Sequence, residues 1–395
     1  MRAQPAMRFR LLIVVALLFC GALPARAQVT VVLWHPWQGQ AATLLESWLA
    51  AYAASNDGRI VVRAEYVPFF SLPGAFANPP GGERPDMVIG PSDWAGNLIR
   101  ERLVAQLDGR LSADFRARIP DLAWEAATFD ARIIGIPLLL EGTTLYYRRG
   151  PGMPATLPMT WDALLAAGET AGLVMPVDFY PTAGLFFALG GTLIDASGSS
   201  LLRQGEAFSQ YLSLLRDVWA RAQQSGSALA LDASVETFRA GRAAFFLGGS
   251  WELFDLRRAL GDDLGVAPLP MVGGQAWAPL VRTQQIYAAL DSLRIDAVMD
   301  FARFVTSEAA QTMAAREAGL VPANAAAWSA DPQIERIADS LTAGVPISNR
   351  AEMALYWPPL RQAIRSVTAR SQPVETAAAE AQDAIDAAIA RFRNP

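Results

Sequence analysis

The stretch Val29–Tyr66, VTVVLWHPWQGQAATLLESWLAAYAASNDGRIVVRAEY, decides the fold class of this 395-residue chain. Val29 to Trp34 is a β-branched run, Leu44 to Tyr52 places its apolar residues at helical spacing, and Ile60 to Tyr66 is again strand-like, with Arg63 and Glu65 alternating outward. This is a β-α-β opening, and a strand returned by a helix predicts an open α/β sheet. Such sheets bind ligands at the carboxyl ends of their strands, so the loop Trp34, His35, Trp37, Gln38 is placed where a ligand can sit.

The pattern continues downstream. After a Pro- and Gly-dense loop from Pro73 to Pro85, the short run Met87 to Ile89 reads as a strand, and Pro91-Ser92-Asp93 as the cap of a helix from Trp94 to Leu103. This second strand end puts Ser92, Asp93 and Trp94 beside the first loop. Arg132 to Leu140 and Thr144 to Tyr147 read as extended segments joined through Glu141-Gly142, as a crossing between lobes would. Helices are expected at Trp161–Ala171, Ala183–Leu189, Gly205–Gln223, Val235–Arg239, Ile295–Val305, Glu308–Ala318, Arg350–Thr368 and Val374–Arg391. Strands are expected at Ala243–Leu247 and Leu264–Ala267, with an extended segment at Thr283–Ala289.

Composition excludes much. With 52% apolar and 18% charged residues the bulk of the chain is globular, and its length suits two or three units with their own cores. All 33 basic residues are arginine, which removes P-loop, Schiff-base and general-base lysines. One histidine, His35, and one cysteine, Cys20, leave no multi-His or multi-Cys metal site and no internal disulfide. Neither metal nor cofactor is expected.

Arg2, Arg8 and Arg10 precede an apolar run from Leu11 to Cys20, and Ala25-Arg26-Ala27 closes the segment with an A-x-A cleavage pattern. Residues 1–27 therefore read as a signal peptide, with a mature chain from Gln28 in the periplasm or outside the cell. Bulky Phe19 before Cys20 disfavours lipid anchoring there. Removing four arginines takes the formal net charge from −5 to −9, which argues against nucleic acid or anionic lipid as a partner.

The ordered segments VTVVLWHPWQGQ, PDMVIGPSDWAGNLI, GIPLLLEGTTLYYRR, TWDALL, FFALGGTLID, FRAGRAAFFLGGSWEL, LGVAPLP, FARFVTSEAAQ and YWPPLRQAI resemble the extracellular solute-binding proteins of carbohydrate ABC transporters, of the maltose-binding type. The resemblance spans the whole mature chain. It implies a two-lobed α/β periplasmic-binding-protein type II fold with a hinge, which closes on a di- or oligosaccharide and hands it to a membrane permease; a monomer without enzymatic activity is expected. The lobes would be 28–139 plus 281–323 and 142–279 plus 327–395, with crossings near 140–141, 280 and 324–326. Carried over segment by segment, the resemblance adds Glu141 at a crossing, Asp178 and Tyr180 before Gly190-Gly191, and the aromatic platforms Trp251 and Trp357. Pro358 stands where the maltose-binding type has a second aromatic, and the first loop has no lysine, so the sugar need not be maltose.

Flat aromatic surfaces together with carboxylates and amides are what a sugar's C–H faces and hydroxyl rim require. Two other readings stay open. An exported glycoside hydrolase would use a carboxylate pair such as Glu141 and Asp178. A receptor for a phosphorylated solute such as glycerol-3-phosphate would want arginines in the cleft, Arg282 being one candidate.

Overall fold

The computed structural model describes residues 28–150, 156–224, 229–230 and 235–394. The signal segment and Cys20 lie outside these residues. Two sheets organise the chain. The seven-stranded first sheet runs in the order Val321–Pro322, Ile136–Glu141, Leu280–Ala288, Met87–Pro91, Val29–His35, Ile60–Tyr66, with Val345–Pro346 paired to the start of Leu280–Ala288. Its β-α-β half is parallel, Val29↔Ile60 through His35↔Tyr66. The long strand Leu280–Ala288 then pairs antiparallel with Met87–Pro91 on one side and Ile136–Glu141 on the other. The five-stranded second sheet runs Leu264–Ala267, Thr143–Arg148, Phe245–Gly249, Leu173–Val174, Leu229–Ala230.

Each sheet is covered by helices whose apolar stripes fix them in place. Helix Gly39–Ser55 buries Leu44, Leu45, Trp48 and Tyr52, and its two aromatics also satisfy their polar ends: Trp48 Nε1 donates to Ala310 O at 2.8 Å and the Tyr52 hydroxyl to Asp300 at 2.8 Å. Behind the second sheet, Phe179, Phe186, Phe208 and Tyr211 form an aromatic core under helices Ala207–Gln224, Trp357–Thr368 and Val374–Arg393.

The chain passes from one sheet to the other through a single residue, Gly142, between strands Ile136–Glu141 and Thr143–Arg148. A β-carbon on Gly142 would lie 2.6 Å from Leu341 Cδ2 and 3.2 Å from Leu280 O, so a larger residue at this crossing would press on helix Pro332–Thr342 and on strand Leu280–Ala288.

Three expected helices differ in detail. Instead of a capped helix from Trp94, Ser92–Trp94 is a 3₁₀ turn leading into helix Ala95–Arg100, and Ser92 caps nothing because its hydroxyl is used elsewhere. The helix expected from Ala183 starts at Phe179, where the Asp178 carboxylate accepts from Phe179 N at 2.7 Å. The expected helix Arg350–Thr368 is a 3₁₀ turn, Ala351–Leu355, followed by helix Trp357–Thr368, whose first turn accommodates Pro358 and Pro359. Helix Pro332–Thr342 was not anticipated.

Candidate functional site

A cleft of about 520 Å³ opens between the two sheets. Phe69, Phe70, Pro73, Asp93, Trp94, Asn97, Leu98 and Arg282 line it from the side of the first sheet, and Tyr180, Ala354, Trp357 and Arg361 from the side of the second. Its volume falls within the range of sites that enclose a small ligand.

The two sheets build their cleft loops alike. Strand Met87–Pro91 runs into the 3₁₀ turn Ser92–Trp94, and strand Phe245–Gly249 into the 3₁₀ turn Ser250–Glu252. Each turn begins with a buried serine and carries a tryptophan folded back onto a strand glycine. A β-carbon on Gly90 would sit 2.3 Å from Trp94 Cε3, and one on Gly249 2.2 Å from Trp251 Cε2. The glycines thus let the indoles lie on bare backbone. Both serines accept from crossing segments: Ser92 Oγ from Thr283 N at 3.3 Å and Ser250 Oγ from Gly142 N at 3.3 Å.

The cleft floor is charged. Arg282 Nε lies 3.4 Å from Asp93 Oδ1, and the guanidinium sits 5.3 Å from the centre of the Tyr180 ring. Glu141 joins this group: its Oε1 accepts from Gln284 Nε2 at 3.0 Å, and its main-chain oxygen accepts from the Tyr180 hydroxyl at 3.2 Å. Burial pushes the Glu141 carboxyl above the usual carboxylate range, Arg282 and the Gln284 amide pull it back, and Asp93 adds to the rise. Burial likewise pushes the Tyr180 hydroxyl up, so it stays protonated and keeps its donor role. Around Tyr180 stand Trp251, at 6.2 Å between ring centres, and Trp357, at 6.4 Å. On the facing side Trp94 meets Phe69 at 5.1 Å, and Phe69 meets Phe70 edge-on at 5.3 Å.

The expected residues thus separate into three groups. Asp93, Trp94, Tyr180 and Trp357 line the cleft; Ser92, Glu141, Asp178 and Trp251 stand directly behind or beside these residues. The first loop is turned away. Trp34 is buried among Leu72, Phe76 and Val88, with its indole N–H on Glu65 at 2.9 Å. Trp37 packs against Trp48 in the core and reaches Gln284 Oε1 at 3.4 Å. His35 stands edge-on to Tyr66 at 6.2 Å, and Gln38 donates to the Tyr66 hydroxyl. Phe69, Phe70, Arg361 and Gln284 are the additions: no motif marked them, although the apolar pair Phe69-Phe70 just after a strand end was visible in the sequence.

Asp178 caps helix Phe179–Ala188 with one oxygen and accepts from Arg361 Nε at 3.0 Å with the other. Its two oxygens thus serve to start the helix and to hold Arg361 at the cleft wall. What the arrangement offers is binding: stacking faces, two guanidinium–carboxylate pairs and amides in a half-closed space.

Residues 47–338 match the family profile described as bacterial extracellular solute-binding protein. The chain is 24% identical over 320 residues to the maltotriose-binding protein of Pyrococcus abyssi, covering 77% of this chain and 68% of that one. It is 23% identical over 367 residues to the maltodextrin-binding protein MdxE of Bacillus subtilis, covering 86% of each. Among solved structures, the maltose/maltodextrin-binding domain of Bdellovibrio bacteriovorus bound to maltotriose superposes with a TM-score of 0.76 at 23% identity, over 91% of this chain and 100% of that one, and shares its two-lobed fold. No helix of the described residues is long and apolar enough to cross a membrane. With about three quarters of its length inside the profile and a cleft between two α/β lobes, the chain belongs to the bacterial extracellular solute-binding protein family, whose members bind their solute rather than transform it.

Proposed function

We propose that the cleft captures a neutral di- or oligosaccharide and that the loaded protein delivers it to the permease of an ABC transporter, acting as a monomer. The observation that carries this reading is the meeting of aromatic faces from both sides, Trp94 and Phe69 opposite Tyr180 and Trp357, around the Asp93–Arg282 pair. A sugar offers apolar faces to rings and hydroxyls to charges, and this cleft supplies both. The relatives named for maltotriose and maltodextrin support the same class. A phosphorylated solute fits less well, because both cleft guanidiniums, Arg282 and Arg361, already face carboxylates.

In this reading the lobes 28–139 plus 281–323 and 142–279 plus 327–395 rotate about crossings near 140–141, 280 and 324–326. Ligand touching both lobes favours the closed arrangement, and only that differential contact drives closure. Trp34, His35 and Trp37 act behind the cleft as packing for the first strand end, while the exposed Gln38 ties that end to Tyr66. Cleavage after Ala27 releases the mature protein into the periplasm or the medium.

A thermal-shift screen of the mature protein against mono-, di- and oligosaccharides, with glycerol-3-phosphate as contrast, tests the reading. A sugar at 100 times its Kd adds about 2.7 kcal/mol of stability. A sugar response that is lost in Trp357→Ala, with compaction in small-angle scattering, is the expected result; a flat response to every sugar sinks it.

A further inference from the structure

Phe70 is 96% exposed, yet it lines the cleft. It follows strand Ile60–Tyr66 in a turn closed by Ser71 N donating to Pro68 O at 2.9 Å. Among the described residues its one aromatic neighbour is Phe69, met edge-on, and Phe69 in turn tilts onto Trp94. The three rings form a ramp rising from the cleft floor, where Asp93 and Arg282 sit, to the outermost ring at the mouth. Tyr66, Phe69 and Phe70 are exposed together in this stretch, at 47%, 36% and 96%, and a group of exposed apolar rings beside a cleft marks a contact surface. Pro73 and the turn hydrogen bonds fix the backbone of the segment, so the position from which the ring projects is set.

We infer that Phe70 is a specificity-determining platform for the outermost unit of a linear oligosaccharide, and that it makes this protein a receptor selective for three or more glycosyl units over two. This deepens the saccharide reading proposed above and rests on it. The inner units lie between Trp94 and the Tyr180–Trp357 face, over the charged floor. A disaccharide seated there leaves Phe70 bare. A longer chain must emerge at the mouth, where Phe70 offers its face to the apolar side of the next ring. Phe70 thereby trades exposure for stacking only with the longer ligand.

The test is calorimetric titration of the mature protein and of Phe70→Ala and Phe70→Trp with maltose, maltotriose and maltotetraose. The wild type is expected to bind the tri- and tetrasaccharide more tightly than the disaccharide. In Phe70→Ala the ratio of trisaccharide to disaccharide affinity falls about five- to tenfold, and Phe70→Trp restores it. A ratio unchanged in Phe70→Ala, or a loss equal at every length, overturns the platform while leaving the saccharide reading intact. If the wild type binds none of the three while binding another class of solute, both readings fall.

Discussion

Ser250 and Gly142 exchange two hydrogen bonds: Ser250 N donates to Gly142 O at 2.9 Å, and Gly142 N donates to Ser250 Oγ at 3.3 Å. The loop that carries Trp251 is thereby bound to Gly142, where the chain first passes from one sheet to the other. On the first sheet Ser92 plays the matching part toward Thr283. Each cleft loop is therefore hydrogen-bonded to the strand segment beside it, Ser250 to Gly142 and Ser92 to Thr283.

Removing the hydroxyl at Ser250 leaves the buried Gly142 N–H without its acceptor, a penalty of about 1–3 kcal/mol. Ser250→Ala is expected to lower the unfolding free energy by that amount in urea titration, since its main-chain bond to Gly142 survives. An unaltered midpoint with unaltered slope would show that the hydroxyl does not hold the crossing.

Gly249→Ala separates stability from binding. The backbone of Gly249 is extended, φ −80°, so alanine brings no strain, but its β-carbon would displace the Trp251 indole. That ring is 44% exposed and can swing into solvent. The expected outcome is a stability change within about 0.5 kcal/mol together with a roughly tenfold loss of saccharide affinity and a red-shifted tryptophan emission. Full affinity in this variant would remove Trp251 from the ligand's surroundings.

The first sheet was legible because Val29–Tyr66 holds two periods that only a β-α-β unit satisfies, and both strands fall where the pattern placed them. Helix Pro332–Thr342 was missed although Asp331 caps it and Ile334, Ile337, Ala338 and Leu341 share one buried face. It lies across the edges of both sheets, outside the strand–helix alternation that guided the reading. The cleft was less legible for a different reason. Arg282 meets Asp93 only because Leu280–Ala288 pairs antiparallel with Met87–Pro91, Gln284 opposite Pro91. Such a register joins residues about 190 positions apart and leaves no mark in local sequence. The first loop shows the converse: Trp34 and Trp37 have the right chemistry at a strand end, but the core claims them.

His35 is the only histidine, so its titration is directly readable. Burial lowers its pKa below the ordinary 6.5, partly offset by Glu46 and by its hydrogen bond with the Trp37 main chain. The folded protein thus takes up the proton less readily than the unfolded chain. Stability from this group is complete above pH 6.5 and is lost as pH falls below that value through the lower folded pKa. The imidazole signals in proton NMR are expected to titrate with a midpoint below 6.5, and a midpoint at or above it refutes the assignment of burial as the dominant effect.

Glu141 gives the opposite pH signature. Its folded pKa is raised by burial, against the partial relief of Arg282 and Gln284, so ionisation is harder in the folded protein than in the unfolded chain. Its contribution is most favourable below the ordinary value of 4.5 and is lost as pH rises through the higher folded pKa. Glu141→Gln keeps an oxygen for the Gln284 amide and the shape of the side chain while abolishing the charge. The variant is therefore expected to gain on the wild type as pH rises from 4.5 toward neutrality, with urea unfolding measured at each pH. It also leaves the Asp93–Arg282 pair without a second carboxylate, so saccharide affinity should become less dependent on pH over the same interval. A stability difference between variant and wild type that stays constant with pH would mean that Glu141 titrates alike in both states, and that the cleft floor is wetter than its packing implies.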